Sequence, residues 1–190
     1  MEFVFKDNSI DEINRFVKEV LDPVKALSGT RRKQMFKNGH GHNEPKGSYS
    51  ITYGYCNLGY LSKTKSRKPV QGLANTFETT FLTEHPELKS ILQQLVDLHC
   101  PDPFTVDQVQ INKNWWSPPH KDAGNVGHSW IIGLGDYTGG ETVVEYPVAH
   151  TEYNIHNKFV GFNGSLYTHW TKPFEGTRYS LVFYNHKISS

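Results

Sequence analysis

Residues 110–145, QINKNWWSPPHKDAGNVGHSWIIGLGDYTGGETVVE, decide how this 190-residue chain is read. At their centre stands His120-Lys121-Asp122. Side chains alternate across an extended segment, so His120 and Asp122 share a face. An imidazole beside a carboxylate, completed by one more histidine from elsewhere, forms the three-ligand face that suits non-haem iron(II). In a chain with ten histidines the triplet alone means little, and its surroundings carry the argument.

Working outward, short β-like runs follow one another at 105–114, 128–135, 141–146, 158–162, 165–169 and 178–185. Turn signals separate them, at Thr138-Gly139-Gly140, Asn163-Gly164 and Glu175-Gly176. Short extended pieces at 119–122 and 151–153 bring the number to about eight, that of a double-sheet jelly roll. Upstream, Ser9-Ile10-Asp11-Glu12 reads as a capping box opening a helix whose apolar face is Ile10, Ile13, Phe16, Val17, Val20 and Leu21. Pro86 and Glu87 open a second helix with Leu88, Ile91, Leu92, Leu95 and Leu98 on one stripe. Residues 48–56 alternate as a strand. The expected fold is mainly β with N-terminal helices, a double-stranded β-helix. It forms a single domain over 1–190, with a helical, basic portion at 1–104 and the jelly-roll catalytic core at 105–190.

The third ligand is expected at His169, which ends a strand-like run and lies where a neighbouring strand returns. Nine residues later comes Arg178, followed by Ser180 on the same strand face. The next residues, Leu181-Val182-Phe183-Tyr184, read as a buried strand, and a buried guanidinium needs an anion. Arg178 and Ser180 together suit one carboxylate.

His120-x-Asp122, Gly139-Gly140-Glu141-Thr142, His169 and Arg178-x-Ser180, in that order, resemble the iron(II)/2-oxoglutarate-dependent dioxygenase superfamily over roughly the last 85 residues. The resemblance implies an enzyme with iron(II) on His120, Asp122 and His169, with 2-oxoglutarate as co-substrate and with dioxygen. Arg178 and Ser180 would hold the distal carboxylate of the keto acid. Asn112 and Asn114, read as sharing a strand face, would add hydrogen bonds to it. The presence of Asp122 implies hydroxylation rather than halogenation. The Gly-Gly-Glu-Thr hairpin also occurs in prolyl-hydroxylase-like members, which usually carry Lys where this chain has Arg178.

Residues around these motifs are similar to the TET/JBP group, which oxidises the methyl group of thymine or 5-methylcytosine. That likeness implies a nucleobase methyl group as the substrate, with Trp115, Trp116, Asn125 and Ser129 as substrate-side residues. Charge agrees. The net charge is +1, yet residues 25–68 hold ten basic residues and one acid, a charge of +9 that leaves −8 for the rest. Lysine and arginine neutralise phosphates and dominate nucleic-acid affinity. The expected contacts are Arg31, Arg32, Lys33, Lys63, Lys65, Arg67 and Lys68, with Phe36, Tyr49, Tyr53, Tyr55 and Tyr60 as a stacking surface.

Two alternatives stand beside this reading. One is a 2-oxoglutarate-dependent hydroxylase of a protein side chain or a small metabolite. The other is a non-catalytic metal-binding jelly roll, against which the Arg178–Ser180 pair speaks, since a bare metal site needs no carboxylate clamp. No apolar run approaches a membrane span, and the first residues lack the basic start and apolar centre expected of a signal peptide. The expected location is intracellular, cytoplasmic or nuclear, with no membrane partner. Cys56 and Cys100 are read as reduced thiols.

Overall fold

Val109 and Ile111 alternate with Gln108, Gln110 and Asn112, and this period of two is realised as a strand at the centre of the largest sheet. The computed structural model describes residues 2–24, 47–57, 70–71 and 76–186. In chain order these form α1 (Ile10–Phe16), which runs on as a π-helical turn over Val17–Leu21, then β1 (Tyr49–Asn57), β2 (Thr76–Glu78), α2 (Thr80–Glu84) and α3 (Leu88–His99). There follow β3 (Gln108–Lys113), β4 (Asn125–Leu134), β5 (Tyr137–Gly139), β6 (Thr142–Glu145) and β7 (His150–Tyr153). The last strands are β8 (Val160–Phe162), β9 (Thr168–Thr171), β10 (Phe174–Gly176) and β11 (Tyr179–His186).

Six strands make an antiparallel sheet in the order β2-β1-β3-β11-β4-β8; a second sheet has the order β7-β6-β9, and β5 and β10 form a ribbon. The large sheet separates two cores. Its outer face, with Tyr49, Ile51, Val109, Ile111, Leu181, Phe183, Ile132 and Leu134, packs against the apolar faces of α1 and α3. Its inner face meets the second sheet through Ile131, Val160 and Phe162 against Val144 and Ile155. Fully burying one such side chain contributes about 1.5–3 kcal/mol, so the helices act as a clamp holding the large sheet flat-side out. This is the expected jelly roll with N-terminal helices, and β1 from the first portion lies in the same sheet as the later strands.

Several expectations shift. Ser9 Oγ accepts from the Glu12 amide at 3.3 Å, as a cap should, but the Glu12 carboxylate does not return to Ser9. It accepts instead from the Lys6 amide at 2.8 Å and from Arg15 at 2.8 and 2.9 Å, while Asp7 takes the Ser9 amide. Leu98 is exposed; Val96 takes its place in the core, because the buried stripe of α3 turns with the helix. Strand β4 begins earlier than the 128–135 run, and β9 later than the 165–169 run, because the Asn163 carboxamide folds 163–167 into a turn by accepting from Ser165 and Leu166. Tyr49 and Tyr53 are buried on the helix side, so neither belongs to a stacking surface. Phe36 and Tyr60 lie outside the described residues, as do the seven lysines and arginines expected to touch nucleic acid. Cys100 is a buried free thiol. No helix among the described residues is long and apolar enough to cross a membrane.

The guanidinium of Arg15, with the Lys6 amide, holds the Glu12 carboxyl down at about 2. A depressed carboxyl pKa stabilises the folded state above the unfolded value, and that contribution is lost as the pH falls from about 4.5 to about 2. Glu12→Gln is therefore expected to lower the melting temperature at pH 7, and the difference from wild type should vanish by pH 2 in parallel thermal melts.

Candidate metal centre

The three expected metal ligands are brought together by strand pairing. His120 and His169 are antiparallel partners, each donating its amide to the other's carbonyl, at 3.1 and 3.0 Å. This bridge continues the second sheet one strand beyond β9. The Asp122 amide donates to Gly164 O at 2.9 Å, which pins the acid over the turn that leads into β9. One ligand atom each from His120, Asp122 and His169 lies within 4.8 Å of the others. The Asp122 oxygens stand 3.5 Å from His120 Nε2 and 3.3 Å from His169 Nε2.

The backbone also sets the tautomers. His120 Nδ1 is 2.7 Å from Pro118 O, and His169 Nδ1 is 3.0 Å from Tyr167 O. A carbonyl only accepts, so each Nδ1 carries the proton and each Nε2 turns its lone pair inward. Such outer hydrogen bonds orient metal-ligating imidazoles. A Phe162 ring edge fixes the His169 plane from one side, at 4.8 Å between centroids. Two imidazoles and one carboxylate are a donor set that would suit iron(II).

Arg178 precedes β11 and is 1% exposed. Its Nη2 donates to Gly140 O at 3.0 Å, and its carbon Cζ lies 5.4 Å from the Phe174 ring centre and 5.6 Å from that of Tyr137. Among the described residues it forms no ion pair, and burial pulls its pKa down. Its Nε has no hydrogen-bond partner among the described residues, and neither has the buried hydroxyl of Tyr137. Burial pushes the Tyr137 phenol up, partly offset by the nearby guanidinium. A desolvated cation beside a buried hydroxyl fits an incoming carboxylate. Ser180 Oγ accepts from Asn112 Nδ2 at 3.2 Å and keeps its own hydrogen to donate. The residues present therefore fit a keto dicarboxylic acid as well as a metal.

The Gly-Gly of the β5–β6 hairpin has a physical reason in this fold. Gly140, at φ +69°, has its missing side chain filled by Arg178: a Cβ would stand 2.8 Å from Nε and 2.9 Å from Cδ. Gly140→Ala should displace the guanidinium and weaken 2-oxoglutarate binding by on the order of tenfold, with metal affinity unchanged. Titration of keto acid and metal separately checks this.

The other expected residues divide. Asn112 sits on the inner face beside Ser180, where it can serve the carboxylate. Asn114 does not share that face. It lies past the end of β3 at φ 47°, and its carboxamide oxygen accepts from the Arg178 amide at 2.8 Å, so it holds the backbone of Arg178. Trp115 is fully buried, while Trp116 donates to Lys172 O at 3.1 Å and packs edge-on against Phe174. The Trp116 indole sits at the Arg178 end of the sandwich, since Phe174 also packs against Arg178, and the segment is joined to β9 where Thr171 donates to Ser117 O. Asn125 and Ser129 are buried neighbours at the opposite end, with Asn125 Nδ2 donating to Ser129 Oγ at 3.3 Å and the Asn125 amide to Asp122 O at 2.9 Å. They brace the metal-bearing turn. Tyr137 is the residue the motif reading missed; its signal was the Tyr in the Asp136-Tyr137-Thr138-Gly139 hairpin, three residues before the glycine that Arg178 crosses.

The backbone resembles NgTET1 in complex with 5mC DNA, with a TM-score of 0.52 and 13% identity, over 94% of this chain and 67% of that one. It is also similar to an oxidoreductase of the 2OG-Fe(II) oxygenase family from Burkholderia pseudomallei, with a TM-score of 0.46, 15% identity and coverage of 96% and 92%. A third likeness is to OsALKBH1, with a TM-score of 0.46, 11% identity and coverage of 93% and 91%. No protein-family model and no curated protein sequence matches the chain. At such identities the likeness concerns the fold. The chain shares its fold with NgTET1, a jelly roll with N-terminal helices, as the sequence led us to expect.

Proposed function

We propose that the protein is an iron(II)- and 2-oxoglutarate-dependent dioxygenase that hydroxylates a C–H bond, the substrate being a nucleobase methyl group in nucleic acid. The observation that carries the enzyme class is Arg178, buried with no ion pair among the described residues, in the same sandwich interior as a His-Asp-His set with inward Nε2 atoms. With iron(II), 2-oxoglutarate and dioxygen bound, such a site supplies oxidative decarboxylation to succinate coupled to hydroxylation. His120, Asp122 and His169 hold the metal. Arg178, Ser180 and Tyr137 hold and orient the distal carboxylate, and burial of that end excludes water from it.

The nucleic-acid part rests on different support. Residues 25–68 carry a charge of +9, and one solved structure of similar fold is a complex with 5mC DNA. Incubation with methylated and thymine-containing DNA, followed by mass spectrometry of the released nucleosides, is expected to reveal a methyl group gaining one oxygen. DNA affinity should fall steeply with added salt. Succinate release without any modified nucleoside would leave the enzyme class standing and remove the nucleobase.

A further inference from the structure

The inner face of the large sheet is polar where a sandwich interior is ordinarily apolar. Ser50 of β1, Asn112 of β3 and Ser180 of β11 stand in one cross-strand row, and Thr52 and Gln110 occupy the next. Ser50, Gln110, Asn112 and Ser180 are all buried. They form one continuous ladder. Thr52 Oγ1 donates to Gln110 Oε1 at 2.9 Å, and Gln110 Nε2 donates to Ser50 Oγ at 2.8 Å. Ser50 Oγ donates to Asn112 Oδ1 at 2.6 Å, and Asn112 Nδ2 donates to Ser180 Oγ at 3.2 Å.

The direction of this ladder is fixed by chemistry. The Ser180 backbone carbonyl lies 3.4 Å from Asn112 Nδ2 and can only accept, so the amide group of Asn112 must face Ser180. Its oxygen then faces Ser50, which must donate. Ser50 in turn needs a donor on its own oxygen, which Gln110 provides, and the Gln110 oxygen is held by Thr52. From Gln110 to Ser180 the links are buried and each orients the next in a low-dielectric interior, with Thr52 at the exposed end. At the far end Ser180 is obliged to accept from Asn112, and its only hydrogen is left for another acceptor.

We infer that Ser50 and Gln110 are positioning residues for the co-substrate. Together with the Ser180 carbonyl they hold the Asn112 carboxamide in one orientation, and so keep the Ser180 hydroxyl presenting its hydrogen to the distal carboxylate held by Arg178. The inference rests on 2-oxoglutarate being that ligand. The ladder thereby makes the site select keto acids with a second carboxylate over those without one.

Calorimetric titration of the full chain loaded with Mn(II), without oxygen, tests this with two probes: 2-oxoglutarate and pyruvate, which lacks the distal carboxylate. Ser50→Ala is expected to weaken 2-oxoglutarate on the order of tenfold, to leave pyruvate and Mn(II) unchanged, and to be rescued by Ser50→Thr. Gln110→Glu is a nearly isosteric second variant. Its carboxylate cannot donate to Ser50, so Ser50 turns toward it and releases Asn112, with the same selective loss. This variant decides the matter if Ser50→Ala fails to fold. Unchanged 2-oxoglutarate binding in a folded variant, or equal losses for both keto acids, would overturn the inference and leave the proposed enzyme class intact. Absence of 2-oxoglutarate binding in the wild type overturns that class, and the inference with it.

Discussion

Arg178→Leu raises the 2-oxoglutarate concentration needed for half-saturation by about two to three orders of magnitude and leaves metal binding in place. The magnitude follows from the site. Removing one partner of a buried charge pair costs about 3–5 kcal/mol, because the remaining charge is stranded. Here the stranded group is the distal carboxylate, and the remaining donors, Ser180 and Tyr137, are neutral. Arg178→Lys keeps the charge but loses the planar fork, one arm of which reaches Gly140 O. It should recover only part of the affinity. Saturation curves for wild type and both variants, with Mn(II) titrated separately, check the result. An equal loss of metal binding would mean that Arg178 supports the fold rather than the co-substrate.

Asp122→Ala has the larger effect on turnover, which it should abolish. Asp122 is the only anionic member of the metal set, and its two oxygens stand toward the two imidazoles. Outer partners of metal ligands are already worth about 10–100-fold in affinity, so loss of a direct ligand should weaken iron(II) binding by more than about a hundredfold. The Asp122 amide, which anchors the turn on Gly164 O, is untouched by the substitution, so the fold should survive. Metal titration alongside a thermal melt separates loss of a ligand from loss of structure.

What was legible in the sequence follows from how local each signal is. The alternation around Val109 and Ile111, the helical stripes of α1 and α3, and the Asn163-Gly164 turn are contained within a few residues, so periodicity and turn chemistry expose them. His120, Asp122 and His169 were legible because their ordered spacing matches a known family, and the cross-strand bridge then gave them their convergence. Asn114 was misread for a physical reason: the period of two was extended one residue past the end of β3, where φ turns positive and the carboxamide swings to the Arg178 backbone. Tyr137 was missed because its hydroxyl reaches the interior only through the missing side chain of Gly133, a contact between strands that no sequence window contains. The glutamate of the capping box, likewise, found stronger partners in Arg15 and the Lys6 amide than in the cap itself. Residues 25–46 and most of 58–75 carry the charge that supports a nucleic-acid partner, and they lie outside the described residues.

Succinate formed from 2-oxoglutarate in the presence of iron(II) and dioxygen is the most direct measurement of the central claim. The account expects wild-type protein to release succinate, Asp122→Ala to release none, and Arg178→Leu to release it only at greatly raised 2-oxoglutarate. Metal binding by the wild-type protein with neither keto-acid binding nor succinate release would contradict it.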